Sequence, residues 1–296
     1  MPSWEDFKPF IVTGLALGSV YAMSGVGMVV LYRATGVLNL AFGAVGAMGA
    51  LIAWQLLNKN GWAEVPAYLV CILFGGVLTL LYGFLFGPPL SGRDALIKAT
   101  ATLGLALILL GIMDLVWSDK ARSMILSTSN HGFRVSDVFV NYTQVIALAF
   151  GIVVTVGTGL FLRFTKLGTA MRAMANDREI TATLGVPVRR VEAAAWFGSG
   201  LLSGAAGLLL SNLVGLDAAT LTFLVISSLA AALIAQLRSI TGTFFAAMLI
   251  GLVNALVTPI QSISTYRDMT PFVLAIIALL VLSTGRRGSV LSGRSA

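Results

Sequence analysis

The chain has 296 residues, 57% of them hydrophobic and only 10% charged, with a formal net charge of +7. A soluble domain carries roughly a quarter charged residues, so this composition places the chain among integral membrane proteins before any motif is read. No basic stripe interleaved with aromatics exists outside the loops, which excludes nucleic acid as a partner and leaves positive-inside sorting as the source of the charge.

A spanning helix needs about 20 mostly apolar residues. The first such run, Pro9–Leu31, follows the acidic Trp4-Glu5-Asp6 and is too long for the apolar core of a signal peptide, so it reads as a span and not as a cleaved leader. Then come Gly36–Leu57, Val65–Phe86, Ala95–Trp117, Val145–Phe164, Val191–Val214, Ala219–Ala235, Gly242–Pro259 and Pro271–Ser283. These predict an all-α, polytopic bundle of about nine transmembrane helices in one domain, residues 1–296, with eight to ten left open because the seventh and last runs are short. Glycines one helical turn apart recur within the spans and let helix backbones approach closely, since lipid supplies no hydrophobic force between helices. Arg33–Gly36 and Arg238–Gly242 resemble each other at the ends of two hairpins, a likeness that so glycine-rich a chain produces by chance. Asn141-Tyr142-Thr143 is a formal glycosylation sequon to which no weight is attached.

Between the fifth and sixth spans lies a basic polar island, Arg163–Arg190. Placed inside, it groups Arg33, Arg93, Lys98, its own six cations, Arg238, Arg286, Arg287 and Arg294 on one side, thirteen of the nineteen Lys and Arg residues. Lys8, Lys59, Lys120, Arg122, Arg134 and Arg267 remain outside, with most of Glu5, Asp6, Glu64, Asp119, Asp137, Asp217 and Asp268. The excess predicts the N-terminus out and the C-terminus in, with Trp4, Trp54, Trp62 and Trp117 at the outer boundary where indoles settle. Within the island, Leu167, Met171 and Met174 recur at helical spacing, giving one apolar face. Asn176 and Glu179 have the spacing of a capping box, and Gly185 before Pro187 suits a helix end. Two short helices joined at Ala175–Asn176 are therefore predicted, with Met171 and Met174 offered as adaptable contacts to a soluble partner.

The chemistry missing from the sequence is as informative. None of Lys8, Lys59, Lys98, Lys120 or Lys166 follows a glycine, so the phosphate-wrapping loop of an ATPase is absent. The single Cys71 permits neither an intrachain disulfide nor a thiolate cluster, and the single His131 lies in an outer loop. Without a catalytic His, paired midplane carboxylates or a metal-ligand cluster, an intramembrane enzyme is not expected. Intramembrane polar groups are functional candidates because burying them is costly without a partner. Asp114, Asn39, Asn254 and the neighbouring Phe42 are the candidate pathway residues.

Several stretches resemble the branched-chain amino acid class of ABC importer permeases. Leu167-Gly168-Thr169-Ala170-Met171-Arg172-Ala173 with Leu184-Gly185-Val186 is similar to that family's coupling segment. Gly14–Tyr32 with Gly36–Gly43, Ala101–Leu109 and Tyr266-Arg267-Asp268 agree with its first two helices, fourth helix and terminal pattern, in family order. The resemblance implies a permease that pairs with a second permease or a second copy, two cytoplasmic ATPase subunits and an extracytoplasmic solute-binding protein, in a bacterial or archaeal cytoplasmic membrane. It implies no cofactor on this chain, with ATP and magnesium held by the ATPase partners. Coupling would fall to Arg172, Ala173, Asn176, Asp177, Glu179, Leu184 and Gly185, within residues 163–190. The solute would be a branched-chain amino acid or a related small polar, amide or carboxylate compound. Two departures bear on it. Family members usually carry Asn-Phe-Ala-His-Gly and an acid where this chain has Asn39-Leu40-Ala41-Phe42-Gly43-Ala44, and a glycine-rich turn where it has Ala235-Gln236-Leu237-Arg238-Ser239. An ion-driven secondary transporter is the alternative, disfavoured because the spans hold no central carboxylate or histidine.

Overall fold

The computed structural model describes residues 4–118, 122–124, 126–135, 138–260, 264–278 and 280. Asp119, Lys120, Asp137, Arg286, Arg287 and Arg294 of the charge count lie outside the described residues, as do the end of the ninth predicted span and the side chains of Asp6 and Asp268. Along the chain run α1 (Trp4–Thr35), α2 (Phe42–Asn58), α3 (Glu64–Leu90), α4 (Ala95–Trp117) and a hairpin of β1 (Gly132–Val135) and β2 (Val138–Asn141). Then follow α5 (Tyr142–Phe164), α6 (Lys166–Asn176), α7 (Arg178–Thr183), α8 (Val188–Val214), α9 (Ala218–Phe223), α10 (Val225–Ile234) and α11 (Ile240–Val257). Residues 270–278 are again helical.

Six of these helices, α1, α3, α4, α5, α8 and α11, are long and apolar enough to cross a bilayer; α2 and the α9–α10 pair are shorter. Only helices and closed barrels satisfy every backbone group within lipid, which is why long apolar runs become helices despite their glycines. Three expectations need amendment. The seventh predicted span is not one helix but breaks at Leu224 into α9 and α10. The second begins late, because residues 37–41 leave the helical path before α2 starts at Phe42. The all-α reading misses the β1–β2 hairpin, whose strands of four residues pair Phe133 with Val140 and Val135 with Val138. The sequon residue Asn141 has a structural task instead: its side chain accepts from Gln144 N at 2.8 Å while Gln144 returns to Asn141 N, a capping box that starts α5.

Helix α1 is the hub. Of its most apolar stretch 89% is buried, against 22% for α4 and for α5, as expected of a helix that is apolar all round. It packs closely on α11, where a methyl group on Gly14 would lie 2.9 Å from Leu252 Cα and one on Gly18 2.8 Å from Met248 Cα. Helix α8 is the second axis. Gly207 abuts the backbone of Gly46 on α2, and Gly200 and Gly75 cross between α8 and α3. Hydroxyls secure these crossings: Ser203 Oγ donates to Phe42 O at 2.5 Å, and Thr79 Oγ1 to Trp196 O at 2.8 Å. Helices α3, α4 and α5 turn large apolar side chains outward, among them Phe84, Leu107, Leu115 and Val153, as a lipid-facing rim requires. Arg33 and Arg238 do meet, Arg33 Nη1 donating to Arg238 O at 3.3 Å.

Candidate functional site

Two places concentrate candidate functional features. The first is a cavity of about 630 Å³ between α1, the start of α9 and α10, α11 and residues 267–272. Its walls are mainly apolar, with Phe10, Leu17, Phe223 and Phe272, and its polar groups include Thr13, Tyr21, Ser227, Asn254 and Arg267. Asn254 sits on this wall, its Nδ2 donating to Arg267 O at 3.2 Å. A hollow of that size lined by apolar surface and a few polar groups suits one small solute.

The other candidate pathway residues lie elsewhere. Asn39 is 1% exposed; its Oδ1 accepts from Ala41 N at 3.0 Å and its Nδ2 is buried with no partner among the described residues. It therefore shapes the irregular link into α2. Thr102 holds the same link: its Oγ1 donates to Leu38 O at 2.9 Å and accepts from Leu40 N at 3.0 Å. Phe42 is buried at the start of α2, its ring reaching Gly27 of α1, and it lines a hollow of 10 Å³ with Ser24, Ser203 and Ser228, room for about one water. Asp114 lies on the exposed face of α4 and is not among the residues lining either hollow.

The second place is the α6–α7 hairpin. Thr165 caps α6, accepting from Gly168 N at 2.9 Å. The capping box expected from Asn176 and Glu179 does not form. Asn176 closes α6, and Asp177 starts α7 by accepting from Ile180 N at 2.9 Å. The joint thus falls one residue later, because an aspartate is as good a cap as an asparagine and here follows it directly. Gly185 ends the hairpin at φ +81°, the conformation expected of a helix-terminating glycine. Met171 and Met174 are also corrected. They are 3% and 5% exposed and pack with Leu31 and Ala34 of α1, Leu162 of α5, and Val191, Ala195 and Trp196 of α8. The apolar face of α6 is therefore the protein's own core, and not a surface offered to a partner.

The opposite face is open. Arg172, Asn176, Asp177, Glu179, Leu184 and Gly185 are exposed and Ala173 is half-buried. Two apolar side chains project here, Ile180 at 59% and Leu184 at 78% exposure. Beneath α7, Arg178 pairs with Glu192 at the start of α8, with Nε at 3.0 Å and Nη2 at 2.9 Å from the same carboxylate oxygen. Sequence reasoning passed over this pair and Thr102. Arg178 and Glu192 lie on two separate helices, so no periodicity within one helix could pair them, and Thr102 stood inside a recognised stretch without any sign of what it binds.

Comparison with known proteins identifies what the chain is similar to. A family model for the permease component of the branched-chain amino acid transport system matches residues 10–282. The high-affinity branched-chain amino acid transport permease BraD of Pseudomonas aeruginosa is 28% identical over 301 residues, covering 97% of this chain and 98% of that protein. LivH of Escherichia coli K12 is 25% identical over 305 residues, with 96% and 97% covered. A probable LivH permease of Methanocaldococcus jannaschii is 29% identical over 263 residues, covering 85% of this chain and 81% of its own length.

Proposed function

The chain belongs to the family of branched-chain amino acid transport permease components, and from that premise we propose that it is the membrane-spanning subunit of an ATP-binding-cassette importer. In this reading it works with a second permease or a second copy of itself. Two cytoplasmic ATPase subunits hold ATP and magnesium, and an extracytoplasmic protein delivers the solute. The N-terminus faces out and the C-terminus in, across a bacterial or archaeal plasma membrane. The solute is a branched-chain amino acid or a related small amide or carboxylate compound, received in the cavity beside Asn254.

The observation that carries the reading is the two-sidedness of the α6–α7 hairpin. One face buries Met171 and Met174 among α1, α5 and α8; the other leaves Arg172, Glu179 and Leu184 uncovered. A force applied to the uncovered face passes directly to the hub helix. A flexible loop would absorb it. The ATPases must contact this face differently in their open and closed forms, because a contact of equal strength in both shifts no equilibrium. Closure would then tilt α1 and α8 together, shutting the outer cavity and opening an inner one.

The test is the double substitution Arg172→Glu with Glu179→Arg in the assembled transporter. Inverting both exposed charges is expected to abolish solute-stimulated ATP hydrolysis and uptake while the subunit still inserts. Survival of both activities would remove the docking assignment.

A further inference from the structure

A narrow cleft under α7 gathers the ends of five helices. It is lined by Thr35 of α1, Ser91 just after α3, Lys98 of α4, Arg178 of α7, and Glu192 and Trp196 of α8. The charged groups on its wall are Lys98, Arg178 and Glu192. Its free space is only about 20 Å³, too little for a phosphate or any larger ligand. The cations of the cleft face one carboxylate, Glu192, and solvent.

They are answered unequally. Arg178 holds Glu192, whose side chain is 20% exposed. The half-buried Lys98 ammonium has no ion-pair or hydrogen-bond partner among the described residues. It rests over the last turn of α1, where a methyl group on Gly36 would lie 3.7 Å from Nζ and where the helix dipole is negative. One carboxylate therefore shares a cleft with two cations carried by different helices. The holding of α7 is also slight. It has six residues and buries only Thr181, whereas α6 is anchored by its two methionines. When α7 is levered, the Arg178–Glu192 pair is what must give, and the half-buried Glu192 carboxylate gains from a second cation nearby.

We propose that Glu192 exchanges Arg178 for Lys98 during the transport cycle, making these three residues a two-position latch between the docking hairpin and the membrane core. In the state described here the latch ties α8 to α7. In the other it ties α8 to α4, and α4 is already bonded through Thr102 to Leu38 and Leu40 in the link between α1 and α2. The exchange would hand a push on α7 to that link. Discrete alternatives of this kind are what turn a small displacement into a switch. Lys98 and Glu192 act as positioning residues; neither touches solute or nucleotide. The proposal rests on the docking role given above to the hairpin.

The experiment uses the complete transporter reconstituted in vesicles. Lys98→Gln is expected to lower solute uptake about fivefold, the lower end of typical coupling effects, with basal ATP hydrolysis and ATPase co-purification unchanged. Lys98→Arg should restore most of the uptake. A half-exposed ion pair contributes little to stability, so a merely structural role predicts unchanged uptake, and that result would overturn the latch. In a second arm, Lys98→Cys with Glu192→Cys is cross-linked with and without a non-hydrolysable ATP analogue; the native Cys71 is buried and silent. Faster cross-linking in the nucleotide-trapped state is expected, and equal rates overturn the proposal. Normal uptake from the Arg172→Glu, Glu179→Arg transporter would instead remove the docking reading itself, so the two failures are distinguishable.

Discussion

Gln236 and Leu237, between α10 and α11, hold φ at 55° and 54°, in the left-handed region where Cβ crowds the following carbonyl at roughly 1–2 kcal/mol per residue. Leu237 recovers part of this, since its side chain is 9% exposed and packs with Val29 and Ala232. Gln236, half-buried, lies outside that apolar cluster. Gln236→Gly is therefore expected to raise the thermal midpoint by a few degrees, for a gain of up to about 1 kcal/mol. Leu237→Gly should lower it, because the buried leucine is worth about 2 kcal/mol. Melting of the detergent-solubilised protein checks both, and a fall for Gln236→Gly would show that the contacts Gln236 makes outweigh the strain. The case also marks a limit of sequence reading. Ala235–Ser239 stands out because the usual glycines are missing, a departure that bears on the solute rather than on the architecture. The backbone takes the left-handed path without a glycine, with Leu237 packed on α1.

At the scale of an element, α6 shows what periodicity can and cannot tell. The spacing of Leu167, Met171 and Met174 identifies the helix and its apolar face correctly. It is silent on what covers that face. Helix ends emerging from a bilayer present apolar surface in the same aqueous layer as a soluble partner, so both could have taken it. Burial of Met171 and Met174 decides for the protein's own core. Two substitutions then separate packing from docking. Met171→Ala should destabilise the protein by about 2 kcal/mol or more, seen as a lower melting temperature, without selective loss of the ATPase subunits on purification. Leu184→Asp, at a position 78% exposed, should shift stability by no more than about 0.5 kcal/mol yet weaken ATPase retention. The reverse pattern would put the docking face on the wrong side of the hairpin.

Across the whole molecule, the long helices were legible because a bilayer demands continuous apolar runs, and Ala95–Trp117 coincides with α4. The cavity was not, because its lining comes from four separated stretches between Phe10 and Phe272, each unremarkable alone. Asn254 could be picked out only because an amide in an apolar run needs a partner. Orientation is the remaining whole-molecule property, and it rests on charge. The asymmetry of thirteen cations against six among nineteen is what supports the proposed cytoplasmic location of the α6–α7 hairpin, since Lys and Arg are retained inside. Leu184→Cys and Asn60→Cys lie at exposed positions on opposite sides by this scheme, and the native Cys71 is buried. A membrane-impermeant maleimide added to intact cells is expected to label Asn60→Cys and to spare Leu184→Cys until the membrane is opened. Labelling of Leu184→Cys in intact cells would turn the subunit over. The hairpin would then face away from any ATPase, and the cavity beside Asn254 would open toward the cytoplasm instead of toward the incoming solute.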